Sequence, residues 1–449
     1  MSLIKKIKDY YKKGGRILFT TPSHNQGHFQ TTAAEKLLGK QFLQYDLSEL
    51  DGFDNLRNPQ GPIKKLLENI ANIYDSKSSF ILTNGSTSGI IASMLAFLKE
   101  GDKVLIARNC HISVYNGLVL SGAVPVWFLP EYDREWGIYK GIKAEQIEKI
   151  LREQEVKALI ITSPTYEGLY SETEKIAKIC KNHGVIFIVD EAHGALYNFG
   201  NFKTKPAIQY GADISVQSLH KTAGAPNPCA LVHISNQSSL NPDKLQKALN
   251  IINTTSPSYA LLASCETVIN YLNSSKGQLY IEKLLSDIEI FKKNISSKIH
   301  IYSGKNDPTK ILIKFNDTSP SSIAGILNEK YKIEEEFSNH KSMLFICGIG
   351  TNVHKLNKLC SALNEISENT TTKCSTDAVM KYNLPNIKYT PRQAFFKDKI
   401  VIDTENAVNK ISAEAITTYP PGIPVLLPGE VISKDILNKI DKSHIEICC

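Results

Sequence analysis

Asp213–Pro228 reads DISVQSLHKTAGAPNP, and the way its apolar run stops decides how the rest of the chain is read. Ile214, Val216 and their neighbours make a short strand that closes on Ser218, His220 and Lys221. In an α/β sheet the carboxyl end of a strand is where ligands meet side chains. A lysine held there between a hydroxyl and an imidazole loses its proton when partly desolvated, and a neutral amine condenses with an aldehyde to an imine. That chemistry suggests pyridoxal phosphate. Taken alone, a lysine after a strand is more often a solvated loop residue, so the reading turns on what the other strands present.

Outward from Lys221 the same pattern occurs four more times. Ser79–Thr83 is an apolar run followed by Asn84, Gly85, Ser86, Thr87, Ser88 and Gly89, then by the helical stretch IIASMLAFLKEG. Lys103–Ala107 ends at Asn109, Cys110 and His111, and Ala158–Thr162 at Ser163, Pro164, Thr165 and Tyr166. Gly184–Val189 ends at Asp190, Glu191, Ala192 and His193. Helical patterns such as EQIEKILREQ and ETEKIAKICKNHG stand between them. Strands alternating with helices predict an α/β fold with a largely parallel sheet covered on both faces, and polar clusters converging on one edge.

A phosphorylated pyridine aldehyde needs an amine, a carboxylate for its ring nitrogen, a flat partner for its face and donors for its phosphate. Lys221, Asp190, His111 and the Ser86, Thr87 and Ser218 group offer one of each. A strand, a small polar turn and a helix place backbone N–H groups where a phosphate is favoured. The plainer alternatives are a helix cap by Ser86 or Thr87 and another by Asp190.

These residues also carry a resemblance. NGSTSGI, RNCHISV, TSPTYEG, VDEAHGA and SLHKTAG, in that order, resemble the bacterial ornithine/lysine/arginine decarboxylases, pyridoxal phosphate enzymes of the aspartate-aminotransferase fold group (fold type I). TPSHNQG and YDLSELDGFDNLRNPQGPI upstream, and YTPRQAFF and ISAEAITTYPPGIPVLLPGE downstream, extend it over nearly the whole chain. The resemblance implies that Lys221 carries the cofactor as an imine, Asp190 pairs with the pyridine nitrogen and His111 stacks on the ring. It implies that Ser86, Thr87, Ser218 and His220 hold the phosphate while His193 lies beside the ring. It further implies a homodimer with a shared active site, and the small form of the family, which lacks a receiver-like domain; there is no room for one before Leu18. The implied reaction is α-decarboxylation of lysine, ornithine or arginine in polyamine biosynthesis. A fold-related aminotransferase or aldolase, or a cofactor-binding homologue without turnover, are the alternatives. The chain departs from the family where PGHK is replaced by Pro22, Ser23, His24 and Asn25, where Ile112 follows His111, and where Gly224–Pro228 replaces a Thr-Gln pair. Lost polar groups near the site put the substrate in question more than the cofactor. A cationic substrate needs an acidic partner, for which Asp51, Asp54, Glu167 and Glu414 are candidates.

The 449 residues suffice for a large domain and smaller ones, each with a core. The formal charge of +7 is spread out, which argues against a nucleic-acid-binding arm. Lys5, Lys6, Lys8, Lys12 and Lys13 alternate with Leu3, Ile4 and Ile7 at helical spacing and read as the solvated face of an N-terminal helix. No apolar run is long enough for a membrane span and no signal peptide is visible, so the expected compartment is cytoplasmic. Nine cysteines without a CxxC pair predict reduced thiols and no metal site. Expected divisions are an N-terminal helix and arm (1–45), a cofactor-binding large domain (46–242), a small α/β domain (243–368) and a C-terminal domain (369–449). Residues 365–373 read as a polar hinge or exposed linker and Tyr419–Pro424 as a stiff extended run, a rigid connector or a substrate contact.

Overall fold

Short runs rich in Val, Ile and Leu, closed by glycine or polar turns, set the strands of the large layer. In chain order these are β1 (Ser76–Leu82), β2 (Lys103–Ala107), β3 (Val124–Phe128), the hairpin β4 (Tyr132–Asp133) and β5 (Ile138–Tyr139), β6 (Ala158–Thr162), β7 (Ile186–Asp190), β8 (Ile214–Ser218) and β9 (Ala230–Ser235). Hairpin aside, they form one sheet in the order β1-β9-β8-β7-β6-β2-β3. This computed structural model describes residues 2–12, 19–24, 37–50, 52–315, 318–369, 383–418, 423–437 and 442–449.

Four neighbouring pairs, from β3 through β2, β6 and β7 to β8, are parallel. Strand β9 runs antiparallel to both β8 and β1, which makes β1 parallel to β8. The carboxyl ends of β1, β2, β6, β7 and β8 therefore share one edge. The reversed β9 has a local consequence: Ser218 pairs with Ala230, and Leu219 N–H donates to Cys229 O at 3.0 Å, so the connection carrying Lys221 is pinned at both ends.

Both faces of the sheet are apolar because both are covered. Ile90, Met94, Val114, Leu118, Leu245 and Leu249, from the helices Gly85–Phe97, Ile112–Ser121 and Pro242–Ile252, pack on one face. Ile147, Leu151 and Ile176, from Ala144–Glu153 and Thr173–Asn182, pack on the other. Gly89 marks how closely the first helix is seated, since a Cβ there would lie 2.6 Å from Leu82 Cδ1 and 2.8 Å from Val216 Cγ1. Each fully buried aliphatic side chain contributes roughly 1.5–3 kcal/mol. The N-terminal helix Leu3–Lys12 buries Leu3 and Ile7 and leaves Lys5 and Lys8 exposed, as its periodicity predicts.

A second layer follows, with β10 (Ile299–Ile301), β11 (Lys310–Phe315), β12 (Phe337–Ser338) and β13 (Met343–Ile346) in the antiparallel order β10-β11-β13-β12. The helices Ser275–Asn294 and Val353–Asn369 close its core through Leu284, Ile288, Leu359 and Leu363. The second helix corrects the reading of residues 365–373 as a hinge. Glu365–Asn369 is its last turn, held because Ile366 is buried in that core, while Glu365, Glu368 and Asn369 lie on its solvated side. Residues 370–373 lie outside the described residues.

The C-terminal layer pairs β14 (Lys399–Asp403) with β17 (His444–Cys448), and β15 (Ile416–Thr418) with β16 (Ile423–Leu426). Of the Pro-rich run, residues 419–422 lie outside the described residues, and Ile423 opens a strand. Arg108, just past β2 and only 1% exposed, reaches into this layer. It donates from Nη1 and Nη2 to the two carboxylate oxygens of Glu430 at 2.6 and 2.8 Å, and from Nε and Nη2 to Pro424 O and Val425 O. Its guanidinium also lies 4.9 Å from the Trp127 ring centroid.

Candidate active site

The converging strand ends surround a cavity of about 390 Å³, within the range of small-molecule sites. Lys221 sits at its wall on the single-turn helix Leu219–Thr222 that follows β8, with Nζ 3.0 Å from His193 Nε2. Burial pushes its ammonium below the usual lysine range, against the opposing pull of Asp190 and Glu336. His193 is 5% exposed, and burial, reinforced by Lys310 and Lys221, holds its imidazole far below the ordinary histidine range. Tyr166 stands edge-on to this ring at 5.2 Å.

Asp190, at the end of β7, is buried in the cavity wall and accepts the Ala192 N–H on Oδ1 at 3.1 Å. The next residue turns away from the cavity: Glu191 accepts from Ala207 N–H and Gln217 Nε2, and burial raises its carboxyl to about 8. A proton held above the unfolded value in the native state means stability that is full below about pH 4.5 and declines as pH rises towards 8. Glu191→Gln is expected to flatten that decline and to raise unfolding free energy at pH 8 by on the order of a few kcal/mol, read by urea titration between about pH 5 and pH 9. An unchanged pH profile in the variant would show that Glu191 is ionised in the fold.

The amino terminus of the Gly85–Phe97 helix also lines the cavity. Its N-cap is Asn84, whose side chain makes no capping bond, so neither Ser86 nor Thr87 is the cap. Ser86, Thr87 and His220 line the cavity. Ser218, fully buried, is not among the lining residues; its hydroxyl donates to Ser86 Oγ at 2.9 Å. His220 is anchored from behind through Nδ1 and Cys229 O, 3.1 Å apart. His111 caps the helix Ile112–Ser121 by accepting Ser113 N–H on Nδ1, which fixes the ring against the cavity.

Whether a phosphorylated pyridine fits can be judged from these residues. Two buried polar atoms in lining residues, Asn109 Oδ1 and Thr162 Oγ1, have no hydrogen-bond partner among the described residues, and buried polar groups rarely stay unpaired. With an uncapped helix terminus, a buried carboxylate and a neutralisable amine on one cavity, the donor set matches the cofactor.

Against this geometry the comparisons with known proteins are informative. Residues 2–316 match the Orn/Lys/Arg decarboxylase major domain, and residues 372–441 match the C-terminal domain of the same family. The chain belongs to the Orn/Lys/Arg decarboxylase family. That makes it a pyridoxal-phosphate-dependent amino-acid decarboxylase by family. The arginine decarboxylase of Bacillus subtilis is 31% identical over 95% of this chain and 90% of its own length. That of Bacillus anthracis is 30% identical over 96% and 91%. The inducible lysine decarboxylase of Escherichia coli K12 is 24% identical over 95% of this chain and 74% of its own. Among solved structures, the constitutive lysine decarboxylase of E. coli superposes with a TM-score of 0.84 over 100% of this chain and 82% of that one, at 21% identity. An alanine–glyoxylate aminotransferase from Nostoc sp. superposes at 0.56 over 73% of this chain and 91% of that one, at 14% identity. The fold is therefore the aspartate-aminotransferase type.

For this Orn/Lys/Arg decarboxylase family member the structure revises the acidic candidates. Asp54 is a structural staple, accepting the N–H groups of Asn55, Gln60, Gly61 and Lys64. Burial alone would raise its carboxyl, but those donors outweigh it and lower it. Glu167 is buried and absent from the cavity lining, with its carboxyl raised by burial. Glu414 pairs with Lys442 at 2.7 Å, away from the cavity, and Asp51 lies outside the described residues. Besides Asp190, the carboxylate that lines the cavity among the described residues is Glu336, just before β12, accepting the Tyr166 hydroxyl at 2.6 Å. Three consecutive glutamates, Glu334–Glu336, gave no local signal for which one turns inward. Asn227 and Pro228 of the departing stretch after Lys221 also line the cavity.

Proposed function

We propose that this chain removes the α-carboxylate of a basic amino acid with pyridoxal phosphate as cofactor, and that arginine is the substrate to test first. The observation that carries the reading is the Lys221–His193 pair facing one cavity with Asp190, His111 and the uncapped helix terminus, with Glu336 as the carboxylate at hand for a distal cation. Arginine is ranked ahead of lysine and ornithine by the two relatives sharing 30% and 31% identity, both named arginine decarboxylase.

In this reading Lys221 attaches the cofactor, Asp190 keeps a proton on its ring nitrogen and His111 covers its face. Ser86, Thr87, His220 and the helix N–H groups hold the phosphate, and Ser218 orients Ser86. Bound there, the cofactor supplies an electron sink conjugated with the substrate α-carbon. The chain's own residues set which bond breaks, by holding the substrate. Glu336, steadied by the Tyr166 hydroxyl, binds the distal cation; a guanidinium offers a carboxylate two parallel hydrogen bonds where an ammonium offers a point charge. In the same proposal the product amine feeds polyamine biosynthesis, and the enzyme works in the cytoplasm as a homodimer. Exposed Phe395, Phe396 and Val401 on the C-terminal layer support the last point.

The test is CO₂ release from arginine, lysine and ornithine offered separately to the cofactor-loaded protein. CO₂ from arginine supports the proposal in full, and CO₂ from lysine or ornithine alone reassigns the substrate. A keto acid without CO₂ would overturn decarboxylation in favour of transamination. Glu336→Gln is expected to raise KM for the active substrate about tenfold or more, the scale of a lost charge-assisted hydrogen bond, with kcat little changed. An unaltered KM removes Glu336 from the substrate site.

A further inference from the structure

Behind His193 stands a second lysine. Lys310 opens β11 in the small layer and is 1% exposed, and its Nζ lies 2.6 Å from His193 Nδ1. The other ring nitrogen, Nε2, faces Lys221 Nζ at 3.0 Å. Three nitrogen-bearing groups thus form one row from the cavity into the protein. The row is built in: Gly168, at φ +101°, gives the Lys310 stem its space, since a Cβ there would come within 2.6 Å of Lys310 Cγ. The Tyr166 ring centroid lies 5.6 Å from Lys310 Nζ. The charges facing Lys310 are Asp307, Lys221, Glu336 and Glu167. Asp307 is already engaged, accepting from Thr309 N–H and Oγ1 and from the Tyr197 hydroxyl.

Proton bookkeeping along the row is restrictive. A neutral imidazole has one N–H and one lone pair, so it cannot accept from two ammonium groups. Both contacts are satisfied only when one lysine is a neutral amine receiving the ring N–H. In one arrangement the Lys221 ammonium donates to Nε2 and the Nδ1–H donates to Lys310. In the other the Lys310 ammonium donates to Nδ1 and the Nε2–H donates to Lys221. They interconvert when a Lys221 N–H bond breaks as Nε2–H forms, and Nδ1–H breaks as a Lys310 N–H forms. One positive charge moves from Lys221 to Lys310, and no other reactant is required.

We propose that Lys310 is a positioning residue that shares one proton with Lys221 through His193, leaving Lys221 the free amine whenever Lys310 holds that proton. The proposal rests on Lys221 being the reactive amine. Burial lowers Lys310 to about 7, which makes it a base available near neutrality, and the Lys221 charge is part of what lowers it. Once Lys221 loses its charge, Lys310 holds a proton more firmly. Each lysine therefore sets the other's state.

The experiment uses the full-length, cofactor-free protein, with isotope-competition acetylation of Lys221 by acetic anhydride from about pH 6 to pH 10, read by mass spectrometry on the Lys221 peptide. Lys310→Met, which keeps the stem and removes the nitrogen, is expected to slow labelling near pH 7.5 about tenfold, one unit of amine basicity, with the high-pH plateau unchanged. Lys310→Arg, a permanent donor to Nδ1, is expected to label at or above the wild-type rate. A wild-type profile in Lys310→Met, or one common loss in both variants, would overturn the proposal. If Lys310→Met does not fold, Lys310→Leu replaces it with the same expectation. The ¹⁵N shifts of His193 give a second readout: its tautomer is expected to change with pH in the wild type and to stay fixed in Lys310→Met. Because neither measurement needs cofactor or turnover, failure here is distinct from failure of the decarboxylase reading.

Discussion

Lys221→Ala is expected to lose CO₂ release by about a thousandfold or more, and to lose the near-visible absorption of an imine in the cofactor-loaded protein. The size follows from combining two losses, the covalent attachment point and an amine placed for proton transfer, the second alone being worth about 10²–10⁴-fold. The effect is specific because Lys221 has little structural duty. It sits on a single turn, is partly exposed to the cavity and has His193 as its hydrogen-bond partner. The turn itself is held by backbone bonds, Leu219 N–H to Cys229 O and Ala223 N–H to Leu219 O, which the substitution leaves intact. Circular dichroism should therefore match the wild type while absorption and CO₂ release vanish. A variant that keeps the imine absorption would place the attachment at another amine and sink the site.

The second large effect concerns stability. Arg108→Met is expected to lower unfolding free energy by about 3–5 kcal/mol, the cost of leaving a buried charge without its partner. Arg108 and Glu430 are 1% and 2% exposed and share two hydrogen bonds, and Arg108 also serves Pro424 O and Val425 O of β16. Removing the guanidinium strands both the Glu430 carboxylate and those carbonyls between β2 and the C-terminal layer. The double variant Arg108→Met with Glu430→Met should recover part of the loss, because an apolar pair carries no desolvation penalty. Denaturant titration of the single and double variants measures the coupling. A change under about 1 kcal/mol in Arg108→Met would mean that the pair is hydrated and does not hold the layers together.

Arg108 also shows how far the residues could be read in order. RNCHISV drew attention to His111, whose place after an apolar strand is a local feature. The arginine three positions earlier finds its partner 322 residues away, and no spacing rule connects them. Strand-then-polar-cluster patterns were enough to bring Ser86, Thr87, His111, Asp190, His193, His220 and Lys221 to one cavity, because a parallel sheet presents its carboxyl ends together. Ser218 ends a strand whose residues are all buried, and its hydroxyl donates to Ser86 Oγ. The reversed β9 was not anticipated, since Ala230–Ser235 has the same apolar composition whichever way it runs.

Local sequence thus determined what repeats locally: the alternation of strands and helices, the doubly covered sheet, and the edge at which Lys221 and Asp190 emerge. Tertiary structure alone decided what depends on packing between layers. Glu336 rather than Asp54, Glu167 or Glu414 faces the cavity, and Lys310, at the start of the inner strand β11, stands behind His193. The reason is physical. Periodicity reports which side of an element is buried, but a charged side chain takes its role from the group it meets there. For Glu336 and Lys310 that group lies 170 and 117 residues away, on the other layer.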